Sequence, residues 1–350
     1  MDKSTLQIFD ILSSNLGDSL SISTLTKKIK EKYGNSYYAN IYQKIQKLKK
    51  QNLINLDQIG RTSLIELNFQ NYLLLDFLTE MDIEKKRKFF KNKPELLPIL
   101  IELEQSMNNM CSIRTFGSIK IERNIKLNRI ELLFLLKKSS NYHSLTIWIH
   151  KGLLDIQKKY NIQITGLITT QNKFSELTAS NEINPIREFL PHILNLFCPQ
   201  SFWREIKSIK EKSKIRTVMD ELKPTKISDT DLFYNLNRCG YKEFGWEIGS
   251  GKKICIEYII MAMLLRNDFR LFEAIPIIIS KNKFDANLLI FLCQKFHTSE
   301  KLLGLLKAIK EIKPENEIIK TIEIFDSLQI KETPTNKQDI IEKMKLYNAT

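Results

Sequence analysis

Residues 36–51, SYYANIYQKIQKLKKQ, decide how the first part of this chain is read. Ile41, Ile45 and Leu48 stand at i, i+4 and i+7, so they share one face of a helix and point inward. Ser36, Asn40, Gln43, Lys47 and Lys50 share another stripe, which is polar and basic. Working backward, Ser23 precedes TLTKKIKEKYG, a short helix closed by Gly34, and a turn of only two or three residues joins it to the next helix. Earlier still, Leu6, Ile8, Phe9, Ile11 and Leu12 recur at helical spacing and predict a helix from Thr5 that stops near Gly17. Working forward, LINLDQ and SLIELNF alternate like two short strands around Gly60 and Arg61, the pattern of a β-hairpin.

The order helix, helix, helix, hairpin resembles the winged-helix family over about residues 3 to 70. The resemblance implies a DNA-binding domain, taken as residues 1–75. Between residues 27 and 50 eight lysines (Lys27, Lys28, Lys30, Lys32, Lys44, Lys47, Lys49, Lys50) stand against one acid, Glu31, a net +7. Lysines neutralise phosphates and release counterions, whereas Asn40, Gln43 and Gln46 carry donor and acceptor pairs that can read adenine edges in the major groove. Arg61 at the hairpin tip is placed to enter a neighbouring minor groove. The expected contacts are therefore Ser36, Asn40, Gln43, Lys44, Gln46, Lys47, Lys50 and Arg61, with double-stranded DNA as partner. Pairing into a homodimer would double those contacts. The alternative is that these lysines only solvate helix faces and that the domain binds protein.

The whole chain of 350 residues carries 54 Lys and Arg against 40 Asp and Glu, a net +14, which favours a polyanionic partner. The richness in Lys, Ile and Asn weakens that argument, because a lysine-biased composition gives the same charge on every face. With 43% hydrophobic and 27% charged residues the chain is globular and long enough for two or three domains. There is no run of eighteen apolar residues and no charged-then-apolar opening, so a cytoplasmic protein without a membrane partner is expected. Five scattered cysteines (Cys111, Cys198, Cys239, Cys255, Cys293) lack CxxC spacing and read as buried thiols. The four histidines (His143, His150, His192, His297) lack HExxH spacing, and neither a metal site nor a cofactor is expected.

YLLLDFLTEM reads as an apolar helix leading into a basic helical connector at residues 76–95, whose run Lys85, Lys86, Arg87, Lys88, Lys91 and Lys93 before Pro94 and Pro98 either extends the phosphate contacts or is a solvated linker. LLPILIELEQSMNN then reads as a helix, CSIRTFGS as a strand ending in Gly117-Ser118, and RIELLFLL and IQITGLI as buried strands. This series, with Phe174, Asn184, Pro185 and Ile186 further on, resembles the minimal nucleotidyltransferases of the polymerase-β superfamily over about residues 96 to 206. The resemblance implies a small α/β domain at 96–212 that holds two magnesium ions on an Asp-x-Asp and a third acid. Counting from Ser118 puts Arg129 and Glu131 at the first two metal positions and Gln163, Ile164 or Thr165 at the third. One acid remains, so loss of catalysis is expected and the domain becomes a scaffold or dimerisation element. The alternative, an active nucleotidyltransferase, needs a further carboxylate, for which Glu122 is nearest. An unrelated α/β domain, with Gly117-Ser118 a plain turn, is the third reading.

Beyond Pro224, residues 225–330 read as an all-α bundle around KKICIEYIIMAMLLRND, with Pro276 starting or kinking a helix and residues 331–350 a tail that ends in a frayed helix. GSGKK at 249–253 lacks the P-loop glycine, where Trp246 stands, and the hydroxyl residue, where Lys253 stands, so it reads as a turn. The expected fold is thus α+β and multi-domain: winged helix, nucleotidyltransferase-like α/β domain, helical bundle.

Overall fold

Asp2 accepts the Thr5 N–H and so caps α1 (Lys3–Ser13), while Ser21 accepts the Thr24 N–H at the start of α2 (Ile22–Tyr33). The computed structural model of this chain describes residues 1–108, 116–120, 129–136, 141–242, 249–266 and 268–349. The fold is α+β and 64% helical. After α2, Gly34 at φ +93 ends the helix and Tyr38–Lys50 forms α3. Ile41, Ile45 and Leu48 are its buried residues, packed with Ile8, Phe9, Leu25 and Ile29. Strand β1 (Leu20–Ser21) joins β2 (Ile54–Ile59) and β3 (Thr62–Leu67) in an antiparallel sheet of order β1-β3-β2. Ile59 pairs with Thr62, leaving Gly60 and Arg61 as a two-residue turn in which Gly60 takes φ +59, open to glycine at little cost.

The helical connector expected at residues 76–95 is α4 (Leu73–Asn92), which starts earlier and runs continuously across residues 75 and 76. Leu74, Leu75, Leu78, Met81 and Asp82 are buried, so this segment is packed, not a solvated linker. The first half of its basic run is engaged: Lys85 lies 2.7 Å from Asp10, Lys86 donates to the Leu196 carbonyl at 2.7 Å, and Arg87 pairs with Glu84.

Helix α5 (Leu97–Asn108) leads to a four-stranded sheet of β4 (Phe116–Lys120), β5 (Arg129–Leu136), β6 (Gln163–Thr170) and β7 (Ile193–Asn195), ordered β6-β5-β4-β7. β5 and β6 are parallel and joined through α6 (Tyr142–Tyr160), as a crossover must be, and the other pairs are antiparallel. Gly117 and Ser118 stand within β4, opposite Phe134 and Leu133, and the strand runs on to Lys120 instead of ending at Ser118. Residues 111–115, Glu122 and Trp246 lie outside the described residues. Strand alternation splits the sheet into two faces. Ile130, Leu132, Phe134 and Leu136 pack with Ile99, Leu103, Ile149 and Leu153 of α5 and α6. Leu133, Leu135 and Leu167 join the larger core that runs through α7 (Gln171–Ala179), α8 (Pro185–Phe189) and α9 (Pro199–Lys212) into the carboxy-terminal helices and the amino-terminal unit.

Those helices are α10 (Asp229–Arg238), α11 (Ile256–Leu265), α12 (Phe269–Lys281), α13 (Ala286–Phe296), α14 (Ser299–Ile312), α15 (Asn316–Ser327) and α16 (Lys337–Leu346). α11 is buried on most sides, as its apolar run predicts. α12 starts at Phe269 under an Asp268 cap and runs through Pro276, so the proline neither starts nor ends it. The tail is not frayed: α16 packs on α12 through buried Ile340 and Met344, and Lys343 lies 3.3 Å from Glu273. The GSGKK loop is tied down by Asn235, whose side chain donates to the Lys252 carbonyl and accepts the Ile254 N–H. Of the described cysteines, Cys255 and Cys293 are buried whereas Cys198 is exposed, contrary to the expectation of buried thiols throughout.

Candidate functional site

Helix α3 presents Asn40, Gln43, Lys47, Lys49 and Lys50 to solvent, and Arg61 is exposed at the hairpin tip. Gln46 is half-buried. Ser36 is half-buried as well, and its hydroxyl is enclosed, so it does not share the exposed stripe. Lys44 is held inside the protein's own network, its ammonium 2.7 Å from the carboxylate of Asp2. Partial burial would raise the Asp2 carboxyl, but the Lys44 and Thr5 hydrogen bonds prevail and hold it down at about 2. Two further lysines of the basic stretch are engaged, Lys28 with the Asn15 side chain at 2.7 Å and Lys32 with Asp10. Of the remaining five, Lys27 and Lys30 are exposed on α2, and Lys47, Lys49 and Lys50 gather at the last turn of α3, where they also complement the negative helix terminus.

The exposed face holds residues that the polar-stripe reading passed over. Tyr37, Tyr38 and Tyr42 are 68%, 53% and 44% exposed, and the rings of Tyr38 and Tyr42 stack 6.2 Å apart. Their i, i+4 spacing was the available signal. Ile59, 65% exposed, stands beside the Gly60-Arg61 turn.

Behind this unit, Asp10 on α1 joins α2 and α4. It meets Lys32, the Tyr33 hydroxyl and Lys85, and although burial pushes the other way, Lys85 and Lys32 hold its carboxyl well below the usual range. Asp82, one turn from Lys85, accepts from the Trp203 indole at 2.8 Å and the Asn195 amide at 2.6 Å. These bonds couple the basic helices to the middle sheet.

In that sheet Arg129 and Glu131 share one face of β5, with the Arg129 Nη2 2.5 Å from the Glu131 carboxylate, an ionic contact more than an aligned hydrogen bond. Lys295 on α13 reaches the same carboxylate at 3.0 Å, is almost wholly buried, and also pairs with Glu221. The register partner of Glu131 on β6 is Thr165. Two magnesium ions need two or three converging carboxylates. The site instead carries Glu131 under a guanidinium and an ammonium, with Glu221 bonded to the same ammonium, so both carboxylates are already met by cations and the residues present do not fit a divalent ion. Among the described residues no group of three or more His, Cys, Asp or Glu is placed to hold a metal ion. None of their helices is long and apolar enough to cross a membrane.

Comparison with protein-family models, curated proteins and solved structures finds no match for this chain.

Proposed function

We propose that the chain is a DNA-binding regulator whose amino-terminal unit is a winged helix. α3 enters the major groove, with Asn40 and Gln43 against base edges and Lys47, Lys49 and Lys50 against phosphates, while the β2–β3 hairpin brings Arg61 to the adjacent minor groove. The observation that carries this reading is the exposed face of α3, which combines amides and lysines without one acid along the helix, beside a hairpin with an exposed arginine at its tip. The middle unit is a nucleotidyltransferase-like scaffold without catalysis; the buried Lys295 on Glu131 supports this part.

The test is binding of labelled duplex DNA across a salt series, for the wild type and for a Lys47→Ala/Lys49→Ala/Lys50→Ala variant. Steep salt dependence is expected, with the slope of log K on log salt reduced by about 0.9 for each phosphate that the variant no longer neutralises. A wild type that leaves the duplex unbound overturns the proposal. The three exposed tyrosines favour a second reading, a protein-docking face, since aromatic residues are enriched in such interfaces. Under it, binding to DNA fails and Tyr38→Ala changes nothing in the salt series.

A further inference from the structure

The first turns of α3 present a narrow chemistry to solvent. At 3.6 residues per turn, Gln43 lies between Ala39 and Asn40 around the helix, with Tyr42 beside Ala39, and all four side chains are exposed. Lys44, the lysine within these turns, is held by Asp2 at 2.7 Å, so exposed ammonium groups begin only at Lys47. Neither an arginine nor an acid stands anywhere in α3.

Each base edge calls for a different partner. In the major groove adenine sets an acceptor at N7 beside a donor at N6, which a carboxamide matches with two hydrogen bonds, and thymine offers a methyl group that apolar side chains cover. Guanine presents two acceptors and is met by arginine or lysine, whereas cytosine presents a donor and is met by a carboxylate. Recognition helices reach bases with their N-terminal residues. Asn40 and Gln43 therefore suit adenine, and the Ala39 methyl and the Tyr42 ring suit the thymine methyl, while these turns expose no group of the kind that best matches guanine or cytosine. The hairpin points the same way. Its tip exposes Gln58, Ile59, Arg61 and Thr62 without an acid. The minor groove of A·T pairs shows only acceptors and narrows along A·T tracts, where its stronger negative potential draws in an arginine; a G·C pair adds the guanine amino donor there.

We propose that the duplex recognised by this chain is A·T-rich where α3 and the hairpin meet it, with Asn40 and Gln43 on adenine edges, Ala39 and Tyr42 against thymine methyls, and Arg61 in a narrow A·T minor groove. The inference rests on the DNA-binding reading above and adds the class of sequence to it. Lys47, Lys49 and Lys50 stay on phosphates under it; a lysine turned onto bases would select guanine instead.

The test enriches duplexes from a random library on the full chain and sequences those retained. Enrichment of A·T-rich sites is expected. In the enriched duplex, 7-deazaadenine removes the N7 acceptor and deoxyuridine removes the thymine methyl, and both keep Watson–Crick pairing. Both replacements should weaken binding, by about tenfold where a bidentate pair is lost and by less where a methyl is lost. Gln43→Ala, at an exposed position, should lose about tenfold on the enriched duplex and far less on a G·C duplex of the same length, and Gln43→Arg should bring guanine into the enriched site. A chain that retains no duplex overturns the DNA-binding reading and this inference with it. A chain that retains duplex but enriches G·C-rich sites, or that binds as tightly after both base replacements, overturns this inference alone.

Discussion

The ammonium of Lys295, on α13, lies 3.0 Å from the carboxylate of Glu131, on β5, and both side chains are buried. Together with Arg129 and Glu221 this contact locks the carboxy-terminal helices onto the face of the middle sheet. A buried ion pair is costly to break from one side, because the charge left behind has no water to replace its partner.

Lys295→Ala should therefore destabilise the chain by about 3–5 kcal/mol, and Glu131→Gln with Lys295→Met together should recover much of that loss. Urea denaturation of the two singles and the double measures the coupling. A double variant no better than Lys295→Ala would show that the pair is not what holds these units together.

Asp82 and Asp10 flank Lys85 and respond to pH in opposite senses. Burial pushes the Asp82 carboxyl up to about 6, above the ordinary 3.8, despite the pull of Lys85, Asn195 and Trp203. In that window the folded chain holds a proton that the unfolded chain has released, so the contribution of Asp82 is greatest at low pH and declines as pH rises. Asp82→Asn should remove this decline, with a gain over the wild type on the order of 2 kcal/mol between about pH 4 and pH 7. Asp10, held below its ordinary value, stabilises at neutral pH and loses that effect as the solution is acidified. Denaturant midpoints against pH for Asp82→Asn and Asp10→Asn check both signs.

Lys44 and Lys47 are three residues apart on α3 and are expected to fail differently. Lys44 is bonded to Asp2, a partly exposed pair, so Lys44→Ala should cost about 0.2–1 kcal/mol of stability. Lys47 is exposed, and under the proposed function Lys47→Ala should leave the melting temperature in place and reduce the salt slope of DNA binding by about 1. Paired melting and binding curves separate the two roles; equal effects of both variants on the slope would refute the division.

The tail is held against Gly304 of α14. The Thr335 hydroxyl donates to the Gly304 carbonyl at 3.2 Å, and a Cβ at Gly304 would collide with the Thr333 carbonyl oxygen. Gly304→Ala should cost about 1–3 kcal/mol by overpacking, in spite of the better helix propensity of alanine. Limited proteolysis should then cut within residues 331–350 sooner than in the wild type, and unchanged protection would count against this packing.

How much could be read before the fold was known follows from the range of each interaction. Ile41, Ile45 and Leu48 declare their face within two turns of helix, and all three are buried. The alternation of LINLDQ and SLIELNF around Gly60 is as local, and the hairpin stands there. Proline punctuation was a poorer guide, because packing of α12 on its neighbours outweighs the one backbone hydrogen bond that Pro276 forfeits. The helix of the tail was legible, but its docking was not, because Ile340 and Met344 find a partner only in α12, far away in the chain.

The sequence by itself determined the periodic elements of the amino-terminal unit, the buried strands β5 and β6 and the core character of α11. Each of these depends on residues within a few turns or on residue type alone. Tertiary structure alone decided which lysines remain exposed and which are tied to Asp2, Asp10 and Asn15. It also decided that Lys295 neutralises Glu131. Those contacts join residues far apart in the chain, and their strength comes from exclusion of water, which no local pattern of side chains encodes.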